Sequence, residues 1–236
     1  MAIHYRTQGF VLKKNDLGEA DQIFTIFTKD FGKLKILGKA IRKIKSKLRA
    51  GVGPFYLSEI EFIQGKNHKT LTDATVITKF ENIKQDLEKL EIASQIAEVT
   101  DDLIKGEEKD EEIFNLLKES FNKLNNFQLL TFNFQLIYFF FLWNLLSILG
   151  YQIDLYNCAN CQKKLTPEKL YFNPEEGIIC EECSSGIKDK DDISPDVIKI
   201  LRLFAKKDWQ TLARLKIKGS HQKELESISE SATIKI

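Results

Sequence analysis

Residues 22–40 read QIFTIFTKDFGKLKILGKA. QIFTIFT is a run of β-branched and aromatic residues, which suit a pleated, half-buried surface. TKDFGK supplies a turn. KLKILGKA then alternates, with Leu34 and Ile36 on one face and Lys33 and Lys35 on the other. Two such runs joined by a short turn make a hairpin. Upstream, YRTQGFVLKK (5–14) alternates in the same way, and Asn15, Asp16 and Gly18 supply the turn that follows. Downstream, FYLSEIEFIQG (55–65) and TLTDATVIT (70–78) read as two more strands, parted by a turn at Asn67 and His68. Five strands in about eighty residues fit a small barrel, either an OB-fold or an SH3-like barrel.

The period changes at Phe80. Ile83, Leu87 and Leu90 fall at helical spacing, and EIASQIAEVTDDLIK (91–105) continues it up to Gly106. GEEKDEE (106–112) is an acidic linker or helix start. EIFNLLKESFNKL (112–124) is amphipathic, with Ile113, Leu116, Leu117, Phe121 and Leu124 on one face. An apolar helix follows and stops at Gly150. Residues 155–190 look irregular. Ser194-Pro195 starts another helix, with serine at the cap and proline at the first position. VIKILRLFAKK and DWQTLARLKI extend the α character, and the tail from Lys218 is polar and short of apolar residues. The expected architecture is α+β with two domains. Residues 1–80 form the barrel, and residues 81–236 form an all-α domain with a cysteine-bearing insert at about 155–190.

From Leu124 to Ile153 there is no charged residue, so the length would suffice to cross a bilayer. Gln128, Asn133, Gln135 and Asn144 interrupt the stretch, however, and each is costly in hydrocarbon. Lys and Arg do not cluster beside either end. The stretch reads as the buried central helix of the second domain rather than as a membrane span. The start, MAIHYRTQGFVLKKND, lacks a secretory signal, which points to the cytoplasm. In that compartment cysteines are reduced or metal-bound rather than disulfide-paired.

The four cysteines stand as Cys158-x2-Cys161 and Cys180-x2-Cys183, with eighteen residues between the pairs. This is zinc-site spacing. Each C-x2-C turn puts two thiolates on one side of a knuckle, and two knuckles complete a tetrahedron. NPEEG (173–177) supplies the turn that brings the pairs together. Four thiolates close the metal's coordination shell, so one structural zinc ion is expected.

Catalytic patterns are missing. There is no phosphate-binding G-x-x-x-x-G-K-[ST], no H-E-x-x-H and no G-x-S-x-G, and His4, His68 and His221 are scattered. The sequence offers no reason to expect an enzyme. Charge is more informative. The chain's net charge is only +1, but residues 1–80 hold 15 Lys+Arg against 7 Asp+Glu. The remainder is acidic, so a polyanion-binding half is joined to a half of another kind.

The positive charge peaks at GKAIRKIKSKLR (38–49), where Lys39, Arg42, Lys43, Lys45, Lys47 and Arg49 stand without an acidic residue. As a helix it would carry a narrow apolar stripe of Ile41, Ile44 and Leu48, the profile of a membrane-surface or partner-binding segment. As a loop between strands it is a cationic edge suited to single-stranded nucleic acid, with phosphates on the cations and bases on rings. Phe31, Phe55 and Tyr56 are the nearby candidates for stacking, or for the barrel core. An idle solvated face is the third reading. Position between β segments favours nucleic acid.

Several motifs, in order, resemble the RecO family of bacterial recombination mediators. They are YRT-x-G-x-VL (5–12), GEAD with FT-x-x-x-G-K (18–33), and G-x-A-x-R-K-x-K-S-x-L (38–48). LGYQIDLYNCANC (149–161) and FNPEEGIICEEC (172–183) complete the set. The resemblance implies an OB-fold barrel, a four-cysteine zinc module, and a non-enzymatic, nucleoid-associated mediator of the RecF pathway. Such a protein binds single- and double-stranded DNA, joins RecR, engages the single-strand-binding protein SSB, and helps load RecA or anneal strands. By position, Lys39, Arg42, Lys43, Lys45, Lys47 and Arg49, with Lys35 beside them, would contact the DNA backbone, and Cys158, Cys161, Cys180 and Cys183 would hold zinc. The alternative is a protein-interaction adaptor whose basic patch meets acidic partners. The acidic second half leaves the barrel as the main binder. The tail is short and lacks the family's closing stretch, which bears on the last helix and on whatever it would contact.

Overall fold

The computed structural model of the chain describes residues 3–127 and 132–234. The chain divides into two compact units, residues 1–127 and 128–236.

The first unit is built on a closed barrel of five strands: β1 (His4–Leu17), β2 (Asp21–Thr28), β3 (Gly32–Gly38), β4 (Leu57–Gln64) and β5 (Lys69–Thr78). Their order around the barrel is β1-β2-β3-β5-β4, and β3 meets β5 in parallel while the other neighbours are antiparallel. This is an OB-like barrel. β1 closes it by pairing with two neighbours. His4 to Phe10 face β4, Gly9 to Leu17 face β2, and the register shifts between Val11 and Lys13. A bulge of this kind bends a strand, so one long strand can serve both sides of the barrel.

The alternation in the sequence maps onto the core. Val11, Phe24, Ile26, Leu34, Ile36, Ile60, Phe62 and Leu71 fill the barrel. Leu34 and Ile36 point inward as expected. Phe10, on the other face of β1, is also fully buried, because helices cover that side. Three helices follow the barrel: α1 (Glu81–Lys84), α2 (Leu87–Leu103) and α3 (Glu111–Asn126). The Phe10 ring lies 5.4 Å from Phe114 and 5.5 Å from Phe121 on α3. All five expected apolar residues of α3 are buried. Asp86 and Asp110 cap α2 and α3 through their side chains. Leu87 departs from the expected stripe. It is 86% exposed, because the helical run breaks at residues 85–86 and α2 begins there. The change from strand to helix at Phe80 is a change of period. The compact division falls later, after Phe127, because α1–α3 share the barrel's aromatic cluster.

The second unit centres on α4 (Gln135–Ile148), whose Leu136, Ile137, Phe139, Phe140, Phe141, Leu142, Leu145 and Leu146 are buried. A helix apolar all round belongs in the middle of its unit. The expected apolar helix thus ends at Ile148, before Gly150, and begins only at Gln135: residues 124–126 close α3, residues 132–134 are not helical, and residues 128–131 lie outside the described residues. Fourteen residues span about 21 Å, short of a bilayer's ~30 Å core. Among the described residues no helix is long and apolar enough to cross a membrane. Through their side chains, two of the polar interruptions find protein partners among the described residues. Asn144 donates to the carbonyls of Phe140 and Phe204, and Asn133 bonds Gln222 at 3.0 Å. Around α4 lie α5 (Pro195–Ala205), α6 (Trp209–Leu212) and α7 (Gly219–Ile234). Ser194 caps α5 as its sequence predicts, accepting from Val197 N–H.

Two elements escape the sequence reading. The polar tail forms α7, whose Leu225 and Ile228 are fully buried while Ile234 at its end stands in solvent. Its Ser229 accepts the Trp143 indole N–H at 3.1 Å. The region at 155–190 holds a three-stranded sheet of β6 (Leu170–Asn173), β7 (Gly177–Cys180) and β8 (Asp191–Ile193), in the order β7-β6-β8.

Candidate functional site

The run 38–49 is a loop, not a helix. Residues 39–47 form turns and bends, and a 3-10 helix spans Leu48–Gly51. Its apolar residues do not make one stripe. Ile41 is fully buried in the barrel core, Leu48 packs against that core, and Ile44 stands in solvent. Ile41 and Leu48 therefore pin the two ends of the loop, and its cations are left outside.

Hydrogen bonds hold the first half against the β1–β2 hairpin. The Ala40 N–H donates to the Asp21 carboxylate at 2.7 Å, and the Arg42 N–H donates to the Ala20 carbonyl at 3.0 Å. The Arg42 guanidinium donates to the Gly18 carbonyl and lies 3.3 Å from Asp16. At the far end Gly51 lies against β5, where a Cβ would meet the Ala74 carbonyl oxygen at 2.2 Å. Ser58 donates its hydroxyl to the Gly51 carbonyl at 2.6 Å. The loop is thus a braced projection from the barrel.

Lys35, Lys39, Arg42, Lys43, Lys45, Lys47 and Arg49 are all exposed. Among the described residues, no carboxylate pairs with Lys35, Lys39, Lys43, Lys45, Lys47 or Arg49. Other lysines of this unit differ. Lys33, on the same face of β3 as Lys35, is 13% exposed and bonds Asp101 of α2 at 3.0 Å. Lys69 bonds Glu107 at 2.6 Å. The structure therefore separates lysines that tie helices to the barrel from those left for solvent.

A groove of about 470 Å³ lies beside the loop, lined by Lys14, Asp16, Gln22, Arg42, Arg49, Val52 and Gly53. Lys14 and Gln22 carry no sequence signal of their own. Strand pairing sets Gln22 opposite Asp16, and Arg42 reaches that same carboxylate. The stacking candidates are occupied elsewhere. Phe31 meets Tyr5 and Phe62 edge-on at 5.6 Å, and Phe55 lies 6.0 Å from Phe121. The Lys84 ammonium sits 3.7 Å from the centre of the Tyr56 ring. Phe31 and Phe55 thus belong to packing, while the half-buried Tyr56 ring is covered by a cation.

In the second unit the Sγ atoms of Cys158, Cys161, Cys180 and Cys183 all lie within 4.8 Å of one another. Four sulfurs at about 2.3 Å from one ion form a tetrahedron with edges of about 3.8 Å. The Cys161 and Cys180 sulfurs are 3.8 Å apart. The set fits one metal ion.

Local structure explains the convergence. Gln162 N–H donates to the Cys158 carbonyl at 3.0 Å and closes the first knuckle. The Asn173 side chain accepts the N–H groups of Glu175 and Glu176, and Gly177 takes φ of +105°. This tight turn, the NPEEG of the sequence, folds β7 back on β6 and brings Cys180 to the first knuckle. Ala159 N–H donates to Ile178 O at 2.8 Å, and Cys180 N–H points at the Cys158 sulfur at 3.4 Å. Lys163 and Glu182 pair across the two knuckles at 2.9 Å.

Burial opposes ionisation of Cys158, but the N–H groups of Cys161, Cys180 and Asn160 outweigh it and bring the thiol down to about 6. The Cys183 thiol, bonded to the sulfurs of Cys180 and Cys161, is pushed up to about 12. The surroundings thus favour the thiolate at Cys158 and the thiol at Cys180 and Cys183.

Comparison with known proteins bears on both sites. Residues 1–80 match the family model for the recombination protein O N terminus, and residues 84–232 match that for its C terminus. A protein named DNA repair protein RecO from Dehalococcoides mccartyi is 34% identical over 94% of this chain and 86% of the relative. A protein of the same name from Caldanaerobacter subterraneus is 31% identical over 94% of this chain and 89% of the relative. A third, from a Thermoanaerobacter species, is 30% identical over 94% and 88%. Barrel, helices and four-cysteine cluster thus fall, in order, inside two adjoining matches, and the chain belongs to the recombination protein O family of DNA repair proteins.

Proposed function

We propose that this protein is a non-enzymatic, cytoplasmic recombination mediator that binds single- and double-stranded DNA through its barrel. Residues 1–80 act as the nucleic-acid-binding domain, and residues 81–236 as the helical domain with a zinc-binding insert. Lys35, Lys39, Arg42, Lys43, Lys45, Lys47 and Arg49 contact the phosphate backbone. The observation that carries this reading is the braced loop whose cations, Arg42 apart, have no carboxylate partners among the described residues. Unpaired cations on a fixed projection release counterions from a polyanion and gain affinity without reading sequence. Family membership supports extending the reading to partnership with RecR and SSB, loading of RecA and strand annealing. The four cysteines hold one structural zinc ion, which would tie the two knuckles together.

A salt titration tests the DNA reading. With roughly 4–6 phosphates engaged, log K against log salt for a single strand should slope at about −3 to −4. Changing Arg42, Lys43, Lys45 and Lys47 together to Ala should flatten that slope and leave the fold intact. An unchanged slope would place the DNA site elsewhere.

A further inference from the structure

The basic loop carries one side chain that charge does not explain. Ile44 is 96% exposed. Removing an isoleucine from water is favourable, and this one forgoes that gain in the free protein. Its position is not left to chance. The Ser46 N–H donates to the Lys43 carbonyl at 2.9 Å, so Ile44 and Lys45 are the two central residues of a turn. A second turn leads into it, with the Lys43 N–H donating to the Ala40 carbonyl at 3.1 Å. Ile41 and Leu48, on either side, face the barrel core, while Ile44 faces away from it. The apex of a braced projection therefore presents one stiff, β-branched side chain among Lys43, Lys45 and Lys47. A loop that only neutralised phosphates would gain nothing from an isoleucine at its tip.

We propose that Ile44 is an apolar wedge that enters the base stack when the surrounding cations hold the backbone. The proposal rests on the DNA reading of the loop and adds a second kind of contact to it. A single aliphatic side chain with cations around it matches one base step between phosphates, where apolar wedges part stacked bases and kink the duplex. Stiffness about χ1 limits the entropy lost on insertion. The consequence is a protein that weakens stacking wherever it docks, at little cost in sequence preference.

The test uses the full chain and a duplex with 2-aminopurine, which brightens on unstacking, at a central T-A step. The wild type should raise the fluorescence on binding. Ile44→Ala and Ile44→Ser should lose most of that rise and roughly tenfold in affinity, with the salt slope kept, since no cation is removed. Ile44→Phe should restore the rise. Equal fluorescence from wild type and Ile44→Ala, or none from bound wild type, would overturn the wedge. Ile44-dependent binding to anionic phospholipid vesicles without any rise on DNA would overturn it in favour of a membrane contact. A chain with Lys43, Lys45 and Lys47 changed to Ala separates the two readings. If it binds with wild-type affinity and slope, the loop is not the DNA site and both readings fall. If it loses the slope while Ile44→Ala keeps affinity and fluorescence, only the wedge falls.

Discussion

At the scale of single residues, the four-cysteine cluster depends on groups besides the thiols. Asp154 stands four residues before Cys158 and accepts from the N–H groups of Tyr156 and Asn157 and from the Asn157 side chain. Those bonds, the Asn157 side chain first, hold its carboxyl below the ordinary 3.8. A depressed carboxyl stabilises the fold above its unfolded value and loses that contribution as pH falls through the folded one. Asp154→Ala should therefore lower stability at pH 7 by at most about 1 kcal/mol, since the group is exposed and screened. The gap from wild type should narrow as the pH drops below 3.8, measured by urea unfolding of both proteins. A gap independent of pH would mean that the charge plays no part in the turn. The cysteine spacing shows the candidate ligands directly. Asp154 carries no comparable sign, because its role depends on the backbone path that follows it.

At the scale of elements, the loop at 39–47 works because its ends are anchored in the barrel. Ile41 is fully buried, so Ile41→Ala should cost about 2–5 kcal/mol through lost burial and a cavity. Gly51→Ala attacks the other anchor, since the new methyl would strike the Ala74 carbonyl oxygen at 2.2 Å. Forcing the 3-10 helix from β5 should cost about 1–3 kcal/mol. Both variants should shift the urea midpoint without removing any positive charge. At temperatures where they remain folded, their DNA salt slope should stay near wild type while affinity falls, because a loose loop pays more entropy on binding. A slope that collapsed with the fold intact would show that the anchors set which cations reach phosphate.

At the scale of the whole molecule, two compact units carry two different chemistries. The first unit carries the basic loop at 38–49, and the second carries the four clustered thiols. Metal that binds only a folded site adds its binding energy to folding. Removing the metal with a chelator, or changing Cys158 to Ser, should lower the melting temperature of a transition belonging to the cysteine-bearing unit. Metal analysis should fall from about one ion per chain to none. An unaltered melt after complete metal loss would deny the ion a structural role.

Local pattern was enough for part of this. Alternation at 33–36, the change of period at Phe80, the Ser194 cap and the paired C-x2-C spacings each depend on residues close in sequence, so they are visible without a structure. The same holds for the concentration of charge at 39–49. The tail reads only as polar and short of apolar residues because α7 buries a thin stripe, and that burial needs α4 beside it. The sheet at 170–193 is equally hidden, since strands of three or four residues form only against one another. Charge alone could not say which lysines are free, because Lys33 and Lys35 alternate identically along β3. Only the packing of α2, which sets Asp101 beside Lys33, decides that one lysine braces the fold and the other faces solvent. The sequence by itself determined which residues can bind phosphate or metal. The tertiary structure decided which of them are left to do so, because each charge is claimed by whatever the fold brings within a few ångströms.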